Sequence, residues 1–189
     1  MPKTTIAPPQ SVLRTAARNR KVRTMAPQSP AEPRIRTVRA TDIAQIAALD
    51  ATVTGLHKAA YWQRVYRRYG AGGQGQRLFL VAELDGRVCG FVIGEVRDWE
   101  FGAPPCGWLF AIDVMPSARQ LGLGARLLSE LAQRFRRVGV DTLRTMVASS
   151  NALIQSFFRS QGMRAGHLLP LEMSLGGGEE APPATKTRR

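Results

Sequence analysis

The sequence predicts a mixed α/β domain built around one sheet, and three features carry that prediction. Short runs rich in Val, Ile, Leu and Phe recur at 78–83, 87–96 and 107–114, with the length and composition of strands. Elsewhere apolar residues fall at helical spacing, as with Leu123, Leu127, Leu128, Leu131 and Phe135. Glycines gather where the third run gives way to that helix, at the kind of strand-to-helix junction where open α/β sheets hold ligands.

Taken in order, 35–38 reads as a short strand, and Thr41 offers an N-cap to a helix carrying Ile43, Ile46, Ala47 and Leu49. A second helix carries Tyr61, Trp62, Val65, Tyr66 and Tyr69 and stops at Gly70. After a Gly/Gln loop at 71–76, two strands at 78–83 and 87–96 meet around Asp85 and Gly86, the strongest hairpin signal in the chain. The run 107–114 carries no charge before Asp113 and reads as a central strand that Pro116 ends. A long helix at 121–137, a strand at 142–148, a helix at 151–161 closed by Gly162 and a last strand within 163–173 complete the domain.

With 189 residues, the chain has room for one ordinary domain and tails. The net charge of +13 is uneven: residues 1–36 hold eight Lys or Arg against Glu32 alone. Residues 1–33, rich in Pro and Arg, are expected as a disordered basic arm, 34–174 as the domain, and 175–189 as a loose tail. No apolar run is long enough to span a bilayer, so no membrane association is expected. Cys89 and Cys106 suit neither a metal site nor a disulfide framework, which points to a cytoplasmic protein without a metal.

The stretch 114–125, VMPSARQLGLGA, carries the chemistry. A helix start presents amides without intrahelical partners and the positive end of the helix dipole, which suits phosphate. A Walker loop needs Lys and then Ser or Thr after its last glycine, where Ala125 and Arg126 stand. The dinucleotide fingerprint needs a third small residue where Leu127 stands. Both ATP hydrolysis and a nicotinamide cofactor are therefore disfavoured.

Arg119, Gln120, Leu121, Gly122, Leu123 and Gly124 instead resemble the coenzyme A pyrophosphate loop of the GNAT acyltransferases. The preceding AIDVMP is similar to that family's fourth strand, and NALIQSFFRSQGM at 151–163 to a later family helix. The resemblance implies the GNAT fold, a central mixed, mostly antiparallel sheet of six to seven strands flanked by about four helices, and acetyl-CoA as cosubstrate. Backbone groups of Ile112 and Val114 would then pair with the pantetheine arm, and the Ile112 amide would hold the thioester oxygen as it gains charge. Arg119 and the amides of Gln120, Leu121, Gly122, Leu123, Gly124 and Ala125 would hold the pyrophosphate. Asn151 and Phe158 would line the far wall.

Two positions depart from the family pattern. Phe158 stands where many members have a tyrosine that protonates the leaving thiolate, and Trp108 where protein-lysine acetyltransferases often have a glutamate base. An amine of pKa about 10.4 is only about one part in a thousand neutral near pH 7.4, roughly 4 kcal/mol of barrier, so a base is needed. Glu100, Glu95 and Asp98 are the candidates, Glu100 first, with Trp62, Trp99, Phe101 and Trp108 as an aromatic wall for the acceptor.

The leading expectation is direct transfer of an acetyl group to a primary amine, either on a small molecule or on a protein lysine. A catalytically weak acyl-CoA-sensing or partner-binding module is the alternative that Phe158 and Trp108 keep open. Nucleic-acid binding through the basic arm is the minor reading, and self-association into a homodimer is left open.

Overall fold

The computed structural model describes residues 32–70 and 76–175. Most of the arm, the Gly/Gln loop at 71–75 and the tail from 176 lie outside the described residues. Strands β1 (Arg34–Thr37), β2 (Arg77–Leu84), β3 (Arg87–Arg97), β4 (Cys106–Val114) and β5 (Leu143–Arg144) form one sheet in the order β1-β2-β3-β4-β5. The first four are antiparallel neighbours, and β5 lies parallel to β4. Helices α1 (Ile43–Thr54), α2 (Ala59–Tyr69), α3 (Leu123–Arg137) and α4 (Ala152–Ser160) accompany it.

The period-two alternation of β2 and β3 divides the core between the two faces of the sheet. Phe79, Val81, Phe91 and Ile93 pack with Ile46, Leu49, Trp62 and Val65 of α1 and α2. Leu80, Ala82 and Val92 pack with Leu123, Leu127, Leu131 and Phe135 of α3 and with Phe158 of α4. Both faces are covered, which explains why these strands read as nearly continuous apolar runs. At the β2–β3 turn, Asp85 and Gly86 take φ values of 50° and 75°, the left-handed pair that a tight hairpin needs.

The start of α1 differs from the sequence expectation. Thr41 is exposed within a 3-10 turn, Ala40–Asp42, and it is this turn that Asp42 braces: its Oδ2 accepts from the Arg39 amide at 2.7 Å. Arg36 donates to both Asp42 oxygens, at 2.6 and 2.9 Å, and also bridges to Glu83. The half-buried Arg36 and the Arg39 amide thus occupy the Asp42 oxygens, and no side chain caps α1 itself.

The sheet also corrects the expected strand count: among the described residues it has five strands, not six to seven. The strand expected at 142–148 pairs only through Leu143 and Arg144 before 145–148 leaves the sheet. The strand expected within 163–173 does not form. A new strand needs a paired edge, and two residues of β5 offer almost none. Pro170 removes a donor, and Leu169, Leu171 and Met173 stand more than 80% or about 80% exposed.

Candidate functional site

The site begins with a break in sheet regularity. In β4, Leu109 pairs with Gly94 and Ala111 with Ile93, which leaves Phe110 as an extra residue, a bulge that bends the strand. On the other side, β5 covers only Gly107 and Trp108, and Thr145 Oγ1 donates to the Leu109 carbonyl at 2.9 Å. Beyond that bond the chain diverges from β4, and the strand edge stands open.

The ladder shows which groups face this opening. Met115 donates its amide to Cys89 of β3 at 2.8 Å, so strand alternation turns the Asp113 and Ala111 amides toward β3 and those of Ile112 and Val114 toward the open edge. A cleft of about 320 Å³ lies there, lined by Ile112, Asp113 and Phe110 of β4, by Val147, Asn151, Ile154 and Phe158 from the chain after β5 and α4, and by Asp50, Lys58 and Tyr61 from α1 and the start of α2. Asn151 Oδ1 caps α4 by accepting from the Ile154 amide at 3.1 Å, which anchors the wall that Phe158 completes.

Past β4, a 3-10 turn, Pro116–Leu121, leads into α3 through Gly122, whose φ of 67° is readily available only to glycine. The amides at the start of α3 have no partner inside the helix, and Arg119 in the preceding turn is exposed. Arg119 Nε lies 3.4 Å from the Val114 carbonyl and ties this turn to the strand end. Leu123 has its side chain wholly in the core, so only its backbone is available to a ligand. Gln120 and Leu121 are exposed; Gly124 and Ala125 are half-buried.

Of the residues singled out from the sequence, Ile112, Asn151 and Phe158 are thus brought to one cleft, whereas Val114 and the 119–125 turn follow β4 in the chain and do not line it. Glu95 and Glu100 do not line it. Glu95 is buried, accepts from Tyr69 Oη at 3.1 Å and pairs with Arg68 and Arg97, and Glu100 also pairs with Arg97. Trp62 borders the cleft from the core, while Trp99 and Phe101 are exposed and Trp108 lies under the Arg97 guanidinium, 4.9 Å from its centroid.

The sequence reading missed four titratable residues that do line the cleft: Asp50, Lys58, Tyr61 and Asp113. Asp50 is buried and fully engaged, accepting from Trp62 Nε1 at 3.0 Å and from Lys58 Nζ at 3.1 Å. Asp113 uses Oδ1 to accept from the Val114 amide at 3.0 Å. Burial pushes the Asp113 carboxyl above the ordinary carboxylate range, and the Val114 amide and Arg119 oppose the shift without cancelling it. One signal was available beforehand, because Asp113 is the single charge in an otherwise apolar central strand.

Comparison with known proteins fits this geometry. Residues 43–163 match the profile of the Acetyltransferase (GNAT) family. The chain belongs to that family. Among its curated relatives are the L-2,4-diaminobutyric acid acetyltransferase of Nocardia farcinica, 33% identical over 46% of this chain and 44% of that one, and the mycothiol acetyltransferase of Sanguibacter keddieii, 34% identical over 44% and 27%. The GNAT chain therefore spans less than half the length of either. Among solved structures, the aminoglycoside N-acetyltransferase AAC(6')-Iy in complex with CoA superposes with a TM-score of 0.69 at 18% identity, covering 80% of this chain and all of the other. That likeness is one of fold, including the sheet and its flanking helices.

Proposed function

We propose that this GNAT domain, expected to span residues 34–174, transfers an acetyl group from acetyl-CoA to a primary amine of a small molecule. The observation that carries the reading is the open edge of β4, where the Ile112 amide faces the cleft. An extended pantetheine arm fits such an edge as an added strand would, with its pyrophosphate at the start of α3. The CoA held by AAC(6')-Iy, and the CoA-linked acetylneamine analogue solved with the same enzyme, support coenzyme A as the carrier and an amine as acceptor. The diaminobutyric acid enzyme supports a small acceptor, as does a cleft volume within the range of small-molecule sites.

In this reading the amine and thioester lie side by side, and the nitrogen attacks the carbonyl carbon. The Ile112 amide donates to the oxygen as it becomes anionic, an interaction stronger in the intermediate than in the thioester. With Phe158 buried at the wall and carrying no hydroxyl, the sulfur leaves as thiolate or takes a proton through water. The same residue favours the second reading, a coenzyme A-binding module with little turnover.

Incubation with acetyl-CoA and an amine panel containing 2,4-diaminobutyrate, an aminoglycoside and a lysine peptide tests both. Thiol release is expected with a small diamine or polyamine in preference to the peptide. Tight acetyl-CoA binding by calorimetry with every amine inert would leave the module reading in place of the enzyme.

A further inference from the structure

We infer that Asp113 is the base of the reaction, its Oδ2 receiving a proton from the acceptor's ammonium, with Lys58 and Tyr61 lining the same cleft. The inference rests on the acetyl-transfer reading of the cleft and adds to it the group that frees the amine.

The geometry separates Asp113 from every other carboxylate near the cleft. It lies on β4 directly after Ile112, the residue whose amide faces the open edge. The Val114 amide, which faces the same edge, holds Asp113 Oδ1, so the carboxyl group is drawn to the side where the thioester would lie. Its Oδ2 accepts no hydrogen bond from the described residues. Asp50, the other carboxylate in the cleft, has both oxygens taken by Lys58 and Trp62. Glu95 is held by Tyr69, Arg68 and Arg97, and Glu100 stands with Arg97 outside the lining.

The surroundings also tune the group. The charged and titratable residues facing Asp113 are Asp50 from α1, Lys58 and Tyr61 from the α1–α2 connection and α2, and Arg119 from the turn after β4. Burial weakens the acid, which moves its affinity for protons toward that needed to accept one near neutral pH. Lys58 is paired with Asp50 and sits 5.8 Å from the Tyr61 ring centroid, an internal primary ammonium already housed in this cleft. A second primary ammonium of similar size, on a small aliphatic amine, is the class of acceptor that the arrangement suits.

The step balances as follows. One ammonium proton passes to Asp113 Oδ2 and on to solvent. The freed lone pair forms the C–N bond while the carbonyl electrons move to oxygen beside the Ile112 amide. On collapse the C–S bond breaks with its electron pair on sulfur, and the second nitrogen proton reaches that sulfur directly or through water, giving the amide, coenzyme A thiol and one released proton.

The test uses the full chain and the Asp113→Asn variant, which keeps an oxygen to accept from Val114. Acetyl-CoA affinity by calorimetry is expected to stay within about threefold, while kcat/KM for the best amine falls by about 10²–10⁴-fold, and the acidic limb of the kcat/KM–pH profile disappears. Asp113→Glu is expected to retain that limb at reduced rate. A variant Asp113→Asn that keeps its rate and its acidic limb overturns the assignment, as does loss of the limb in Glu100→Gln with Asp113→Asn unaffected. If the unmodified chain acetylates no amine, the acetyl-transfer reading fails and the assignment with it; if the chain is active and both variants match it, only the Asp113 assignment fails.

Discussion

At Gly122 the backbone sits at φ 67° with open space where a Cβ would stand, whereas a Cβ on Gly124 would lie 3.2 Å from the Phe157 ring. The two glycines therefore answer to different constraints. A valine at Gly122 would hold a branched residue in the left-handed region, at a cost of about 1–2 kcal/mol, and would place its side chain where the proposed pyrophosphate approaches. A valine at Gly124 would instead push on Phe157, whose ring meets that of Phe158 at 5.1 Å with a 60° tilt and so supports the cleft wall. Gly122→Val is thus expected to weaken acetyl-CoA binding more than tenfold with a modest fall in melting temperature. Gly124→Val is expected to lower the melting temperature further. Equal calorimetric affinity for Gly122→Val and the unmodified chain would remove the turn from the cofactor site.

Among the secondary-structure elements, β4 is paired on one edge and open on the other over its last residues, and that asymmetry is measurable in solution. Amides bonded to β3, such as those of Ala111 and Asp113, are expected to exchange slowly with or without ligand, while the Ile112 amide exchanges quickly in the free protein. Acetyl-CoA is expected to slow Ile112 at least tenfold while leaving Ala111 nearly unchanged, read by hydrogen exchange with residue resolution. Equal protection of both amides in the free protein would mean that the edge is closed.

The same element shows what the sequence could and could not reveal. The helices, the hairpin and the glycine turn were legible because each depends on local residues: periodicity for α3, Asp85 and Gly86 for the turn, Gly122 for the helix entry. The length of β5 was not, since 142–148 has strand-like composition throughout and its pairing ends where the β4 bulge at Phe110 sends the chains apart. The acceptor wall was hidden for a related reason. Asp50, Lys58, Tyr61 and Asp113 come from three separate elements, and only the tertiary packing of α1 and α2 on the sheet brings them together.

Across the whole molecule, the sheet separates two tasks. The cleft opens between β4 and the chain after β5, while β1, β2 and the entry to α1 are joined on the far edge by Arg36 with Asp42 and Glu83. Burial alone would raise the Asp42 carboxyl, yet the bonds from Arg36 and the Arg39 amide outweigh it and hold the carboxyl below its ordinary value of 3.8. A carboxyl lowered in the folded state releases its proton more readily there than in the unfolded chain. Its contribution to stability is therefore complete above about pH 4, the ordinary unfolded value, and is lost as pH falls through the lower folded one. Asp42→Asn is expected to cost about 1–3 kcal/mol at neutral pH by leaving Arg36 short of a partner, and to flatten the loss of stability below pH 4. Because none of these residues borders the cleft, kcat/KM at a temperature well below unfolding should not change. Denaturation midpoints across pH 2.5–7, set beside the rate, check both halves of the claim: a variant as acid-sensitive as the parent would show that this cluster does not govern the acid limb of stability.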